Sequence, residues 1–155
     1  MSWFVGIDPG TSRQTGSCGQ VCFLNEDYNE VSFVPTWDYE LVRDWLRCYK
    51  DEVLFAVVED VSAHFGKPHG DAQRHLERLE WLQIRHAAVS PTVWQQILGE
   101  HKRKKEVNKI KPSVEFVRAR FPEFMQYIRK EKSGFDSNKA DALVLAMYAE
   151  KLFKR

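Results

Sequence analysis

The chain has 155 residues, 43% of them hydrophobic and 29% charged, with a formal net charge of +1 at pH 7. One domain over residues 1–155 is expected, burying roughly 68 to 70% of its extended-chain surface, so no staples are needed. An average charge near zero hides a crowd of basic residues between His101 and Lys111, which is compatible with a local anion-binding patch.

The three cysteines, Cys18, Cys22 and Cys48, form no CxxC pair and leave an odd one over, which argues against a disulfide framework and for a reducing compartment. The chain opens with Ser2-Trp3 rather than a basic region and a long apolar stretch, so no leader is expected. No apolar run approaches the ~20 residues that a membrane span requires. A cytoplasmic protein with no membrane partner is the expectation.

Phe4 to Ile7 suits a buried strand, and it ends abruptly in Asp8, with Pro9-Gly10 stopping its continuation. Asp8 is thereby delivered to a sheet rim where a ligand can reach it, although an Asp in Asp-Pro-Gly can equally be a turn cap. Gln20 to Leu24 and Val31 to Val34 read as two more strands on short connections, an antiparallel meander. Tyr39 to Tyr49 carries Leu41, Val42, Trp45, Leu46 and Tyr49 at helical offsets, with Asp38 and Glu40 at the positive end of the helix dipole. Val53 to Val58 is a valine-rich central strand ending in Glu59 and Asp60. Two apolar strands thus each end in a carboxylate, at the rim where open α/β sheets build their sites.

Ser62 to Gly70 reads as a loop, and Gln73 to Arg85 as a helix buried through Leu76, Leu79, Trp81 and Leu82. Ala87 to Val89 is a short strand, and Ser90-Pro91 opens a helix through Val93, Trp94 and Ile97. Lys102, Arg103, Lys104, Lys105, Lys109 and Lys111 place six cations within ten residues, opposed only by Glu106. This run is either a solvated loop or a segment that tracks phosphates. Ser113 is expected to cap a helix ended by Pro122. The last helix starts near Asn138 and is apolar almost all round, with Asp141 in its first turn on the same stripe as Val144, Leu145 and Tyr148. Dipole chemistry explains such an acid as readily as function does.

Three acids, each where an apolar element begins or ends, can converge on one point, which is unfavourable unless a positive charge sits among them. Oxygen ligands without a His or Cys set suit Mg²⁺ or Mn²⁺ rather than zinc. Two such ions ~4 Å apart are one way to hydrolyse a phosphodiester. With the basic run, the substrate class becomes nucleic acid.

Gly6-Ile7-Asp8-Pro9-Gly10-Thr11, Val58-Glu59-Asp60 and Lys139-Ala140-Asp141-Ala142-Leu143 resemble, in order and spacing, the three acidic motifs of RuvC-like Holliday junction resolvases, the small phage-type members most closely. The resemblance spans nearly the whole chain, including Ser90-Pro91 to Trp94 and Lys111-Pro112-Ser113. It implies an α/β RNase H-like fold, a mixed central sheet with a three-strand antiparallel meander flanked by helices. It further implies a homodimer that makes paired symmetric nicks across a four-way DNA junction with Mg²⁺, two ions, Mn²⁺ substituting. A phage-encoded member acts in the host cytoplasm.

The resemblance makes Asp8, Glu59 and Asp141 metal ligands. The family's fourth ligand lies three residues before the last Asp, where this chain has Asn138, a neutral oxygen; Asp136 is the nearest acid. The stretch between Gly10 and Gly19 is a few residues longer than the family's turn. Phosphate contacts fall on Lys109 or Lys111, nearest the family's lysine motif, with Lys102, Arg103, Lys104 and Lys105 adding contacts or only solvating a loop. Phe65, after Glu59, either stacks on bases at the junction or folds back on the core. Trp45 and Trp81 are expected in the core.

Three alternatives remain open at this level. One is a nuclease that acts on many branched structures, and another is a junction-binding module without catalysis. The third is a kinase-like nucleotide-binding domain, because Asp-x-Gly-Thr after a first strand also occurs in the actin, sugar-kinase and chaperone superfamily. Those proteins need two lobes, and 155 residues hold one.

Overall fold

The structure is a computed structural model, and it describes residues 1–10, 19–61, 70–103, 111–130 and 133–155. The expected positions Phe65, Lys104, Lys105 and Lys109 lie outside the described residues, as do the side chains of Lys102 and Arg103.

Five strands form one mixed sheet in the order β3-β2-β1-β4-β5: β1 (Trp3–Asp8), β2 (Gln20–Asn25), β3 (Val31–Pro35), β4 (Val53–Glu59) and β5 (His86–Val89). β2 pairs antiparallel with both β1 and β3, while β1, β4 and β5 run parallel. β1 is central and every one of its residues is buried. Its alternation divides the core in two. Phe4 joins Cys22, Leu24 and Val57 on one face, and Val5 and Ile7 join Val21, Phe23 and Val58 on the other.

The first face is covered by α5 (Ser137–Phe153), from which Leu143, Val144 and Leu145 are wholly buried. α3 (Pro91–Trp94), α4 (Pro112–Arg120) and two 3-10 segments, Gln95–Arg103 and Pro122–Tyr127, complete that layer. The second face is covered by α1 (Tyr39–Tyr49) through Val42 and Leu46 and by α2 (Gly70–Trp81) through Ala72 and Leu79. Asp38 caps α1, accepting from the Leu41 amide at 3.1 Å. No described helix is long and apolar enough to cross a membrane.

Five expectations change. α2 begins and ends earlier than Gln73 to Arg85, because Gln83 turns left-handed at φ 59°. The Ile84 amide then donates to Leu79 and the Gln83 amide to Glu80, both at 3.0 Å, closing the helix in a Schellman motif. Trp81 is 86% exposed instead of core, since it lies two residues, roughly 200°, round the helix from Leu79. Leu41 is likewise exposed, leaving Val42 and Leu46 to anchor α1, with Trp45 half-buried against Phe23 as expected. Ser113 does not cap α4: Pro112 takes the first helical position and moves the cap to Lys111. Asp141 stands fifth in α5, past the first turn where the helix dipole acts, because Asp136 is the cap.

Candidate metal centre

Strand parity sets the site. Gly6 and Asp8 share the face of β1 that α5 covers, and Val57 and Glu59 share the same face of β4. The parallel register pairs Gly6 with Val57 and Ile7 with Val58, so its next step brings Asp8 beside Glu59.

Gly6 then fixes the third acid. A Cβ there would collide with the Ala142 carbonyl oxygen and the Ala146 amide nitrogen, so the backbone of α5 lies directly on β1. Only a glycine permits that approach. Asp141, next to Ala142, is thereby held over the end of the strand that carries Asp8. Gly19 does the same for the turn, since a side chain there would strike the backbone of Asp8, Pro9 and Gly10.

Each acid rests on its own donor. The Gly10 amide donates to Asp8 Oδ1 at 3.1 Å, the Trp94 indole to Glu59 Oε2 at 2.6 Å, and the Ser113 hydroxyl to Asp141 Oδ1 at 2.5 Å. Trp94 and Ser113 are each 1% exposed, so these donors are rigidly packed. Asp136 Oδ1 accepts from the amides of Asn138 at 2.9 Å and Lys139 at 3.2 Å. It is therefore the N-cap of α5, and Asn138 supplies one of the amides that hold it.

Asp8 is 5% exposed, more enclosed than a rim position implies. Burial pushes its carboxyl up to about 6, countered by the Gly10 amide, with the charge of Asp136 raising it further and Lys111 lowering it. Burial likewise pushes Glu59 to about 7, helped by the charges of Asp8 and Asp141 and opposed by the Trp94 hydrogen bond. Asp141 rises to about 7 through burial and the Asp8 charge, against the pull of Ser113 and Lys111. The three acids expected from the sequence thus form one electrostatic group, and Asp136 belongs to it. Lys111, at the start of α4 and exposed, is coupled to Asp8 and Asp141.

Among the described residues, no three His, Cys, Asp or Glu side chains close into a ready-made metal cage. The acids repel one another, and each leans on its own protein donor. In donor chemistry they fit a hard divalent cation, being oxygen ligands without thiolate or imidazole. A cation would also relieve the repulsion that raises all three.

Gly6, Trp94 and Ser113 are parts of this site that the acidic pattern alone does not mark. A glycine inside an otherwise apolar strand was a sign of close backbone approach. Proline at the first position of α4 was a sign that Ser113 lay inside the helix rather than at its cap. Trp94 carried no local sign of its hydrogen bond.

No family model matches the sequence, and no curated protein matches it. Among solved structures, T. thermophilus RuvC in complex with a Holliday junction substrate aligns with a TM-score of 0.55 at 15% sequence identity. The alignment covers 95% of this chain and 91% of that one. The protein is a mixed α/β protein sharing the fold of RuvC.

Proposed function

We propose that this protein is a structure-selective DNA endonuclease of the RNase H-like superfamily, phage-type in size, which resolves four-way junctions by paired symmetric nicks as a homodimer. The observation that carries the reading is the convergence of Asp8, Glu59 and Asp141 on the α5 side of one rim, each with a dedicated donor. The resemblance of the same three motifs to RuvC-like resolvases supports it, and so does the shared fold. The solved neighbour holds a Holliday junction substrate.

In this reading Asp8, Glu59 and Asp141, with Asp136 or Asn138 as fourth donor, hold two Mg²⁺ ions, or Mn²⁺, which supply water activation and stabilisation of the leaving oxygen. The chain's own residues do the rest. Trp94 and Ser113 orient Glu59 and Asp141 and favour their charged forms, and the Gly10 amide does so for Asp8. Lys111 offers a cation at the edge of the acids where a scissile phosphate would approach, and the basic run that leads to it extends that contact. A homodimer is required because two symmetric nicks need two such sites.

Cutting assays with four-way, three-way, flap and linear DNA, in Mg²⁺ and in chelator, test the proposal. Asp8→Asn and Glu59→Gln are expected to abolish cutting while junction binding and thermal stability persist. Equal rates on all four substrates would replace the strict resolvase by a broader branched-DNA nuclease. Junction binding without cutting in any divalent metal would leave a non-catalytic junction-binding protein.

A further inference from the structure

A second concentration of charge lies on the opposite face of the sheet. β3 runs parallel to β1, so α1 starts at the rim that carries Asp8, where the Thr36 hydroxyl donates to the Pro9 carbonyl at 3.4 Å. α2 starts beside it: the Tyr39 hydroxyl donates to Asp71 at 3.4 Å, and the Arg74 guanidinium lies 3.9 Å from the Tyr39 ring centre. The two helices run side by side away from the rim.

Between them is a groove of about 800 Å³ lined by Arg43 and Arg47 of α1, by Lys50 at its C-cap, and by Arg74 and Arg78 of α2. The cations recur at i, i+4 and i+7 on α1 and at i, i+4 on α2, so each helix turns one basic stripe into the groove. Glu77 is the acid among the described lining residues, and it accepts from Gln73 at 3.0 Å. Of these five, Arg43 pairs with Asp44 at 3.4 Å. Like charges one turn apart destabilise a helix, and among the described residues these five cations outnumber Asp44 and Glu77 beside them. Burial and the neighbouring Arg74 and Arg43 hold Arg78 below its ordinary basicity, a sign of how crowded the positive charge is.

We propose that the α1/α2 groove is a phosphate track that carries one DNA duplex arm away from the acidic rim. This rests on the reading of branched DNA as substrate. The stripe from Arg43 to Lys50 covers roughly 10 Å, about three phosphate steps of one strand. Four of the five cations are arginines, whose planar fork matches phosphate oxygens. A linear sequence of cations starting at the site's own rim suits a continuous backbone better than a single anion.

The test measures binding of fluorescent four-way junctions with short and long arms, in chelator, as a function of salt. The proteins are the full chain and its Arg47→Gln/Lys50→Gln/Arg78→Gln variant. The unmodified chain is expected to bind long-armed junctions more tightly than short-armed ones. The variant is expected to lose that gain, and its log–log salt slope to fall by about two to three units, near 0.9 per lost phosphate contact. Glu77→Gln, which removes the opposing acid, is expected to tighten long-arm binding. An unchanged slope in a variant with unchanged thermal midpoint would overturn the track. So would loss of binding to a polyglutamate probe alone, which would assign the groove to an acidic protein. Slopes on a long linear duplex are read in parallel, so the track is tested even if the junction preference fails.

Discussion

The Trp94 indole donates to Glu59 Oε2 at 2.6 Å, joining a helix after β5 to the last residue of β4. This bond opposes the burial that otherwise keeps the Glu59 carboxyl protonated. Trp94→Phe keeps an aromatic ring but removes the donor. A lost hydrogen bond to a charged group, about 1.5 to 3 kcal/mol, corresponds to about one to two pH units. The acidic limb of the cutting rate is expected to move to higher pH by that order, with the maximal rate partly recovered above pH 8. A limb that stays in place would mean that the indole serves packing alone.

Asp8, Glu59 and Asp141 all have folded-state values raised above their ordinary ones, to about 6, 7 and 7 from 3.8, 4.5 and 3.8. For a raised group the folded state binds more protons, so its contribution is complete below the unfolded value and is lost as pH rises through the folded one. Metal-free protein is therefore expected to lose stability between about pH 4 and 7 through these groups. Mg²⁺ is expected to raise the thermal midpoint at pH 8 and to have little effect at pH 5. Equal shifts at both pH values would detach the cation from these carboxylates.

His75 works in the opposite direction. It is 1% exposed, neither ring nitrogen has a hydrogen-bond partner among the described residues, and burial with the neighbouring Arg78 lowers it from 6.5 to about 4. A lowered group contributes stability above its unfolded value and loses it as pH falls towards the folded one, here between about 6.5 and 4. His75→Leu removes two unsatisfied buried polar atoms at similar volume, each costing about 1 to 3 kcal/mol. The variant is expected to be more stable at pH 5, and denaturant titrations at pH 5 and 8 check this. A loss of stability at both pH values would show that the imidazole makes a contact the apolar side chain cannot.

Gly6→Ala places one methyl group against the backbone of α5. Overpacking of this kind costs about 1 to 3 kcal/mol or more. Because the helix carries Asp141, cutting is expected to fall further than the stability loss explains, measured at a temperature where the variant remains folded. Unchanged cutting would show that the helix can retreat without moving Asp141.

Lys111→Gln separates two roles of one cation. Lys111 lowers both Asp8 and Asp141, so its loss is expected to move the acidic limb upward. If it also meets a phosphate, the salt slope of junction binding falls by about one unit. An unchanged limb and slope together would return it to solvent.

The acids were legible because each depends on local pattern: an apolar strand that stops at Asp8, another that stops at Glu59, and an apolar helix interrupted by Asp141. Strand and helix periods then put them on common faces. Trp94 and Ser113 were hidden because their bonds span 35 and 28 residues, and nothing local records such a partner. Gln83 was hidden for a different reason. It takes the left-handed position where glycine is the usual sign, so the end of α2 left no mark in the sequence. Asp136 was legible as an acid near the site but not as the residue on which α5 begins.

The seat of α5 on Gly6 also sets an order of assembly. Asp8 belongs to the first strand, and Asp141 lies on the last helix. Contacts so distant in sequence form only after a large loss of chain freedom. A growing chain still short of α5 therefore has Asp8 and Glu59 but no completed cluster, and a nascent copy gains its full set of acids only once α5 has docked.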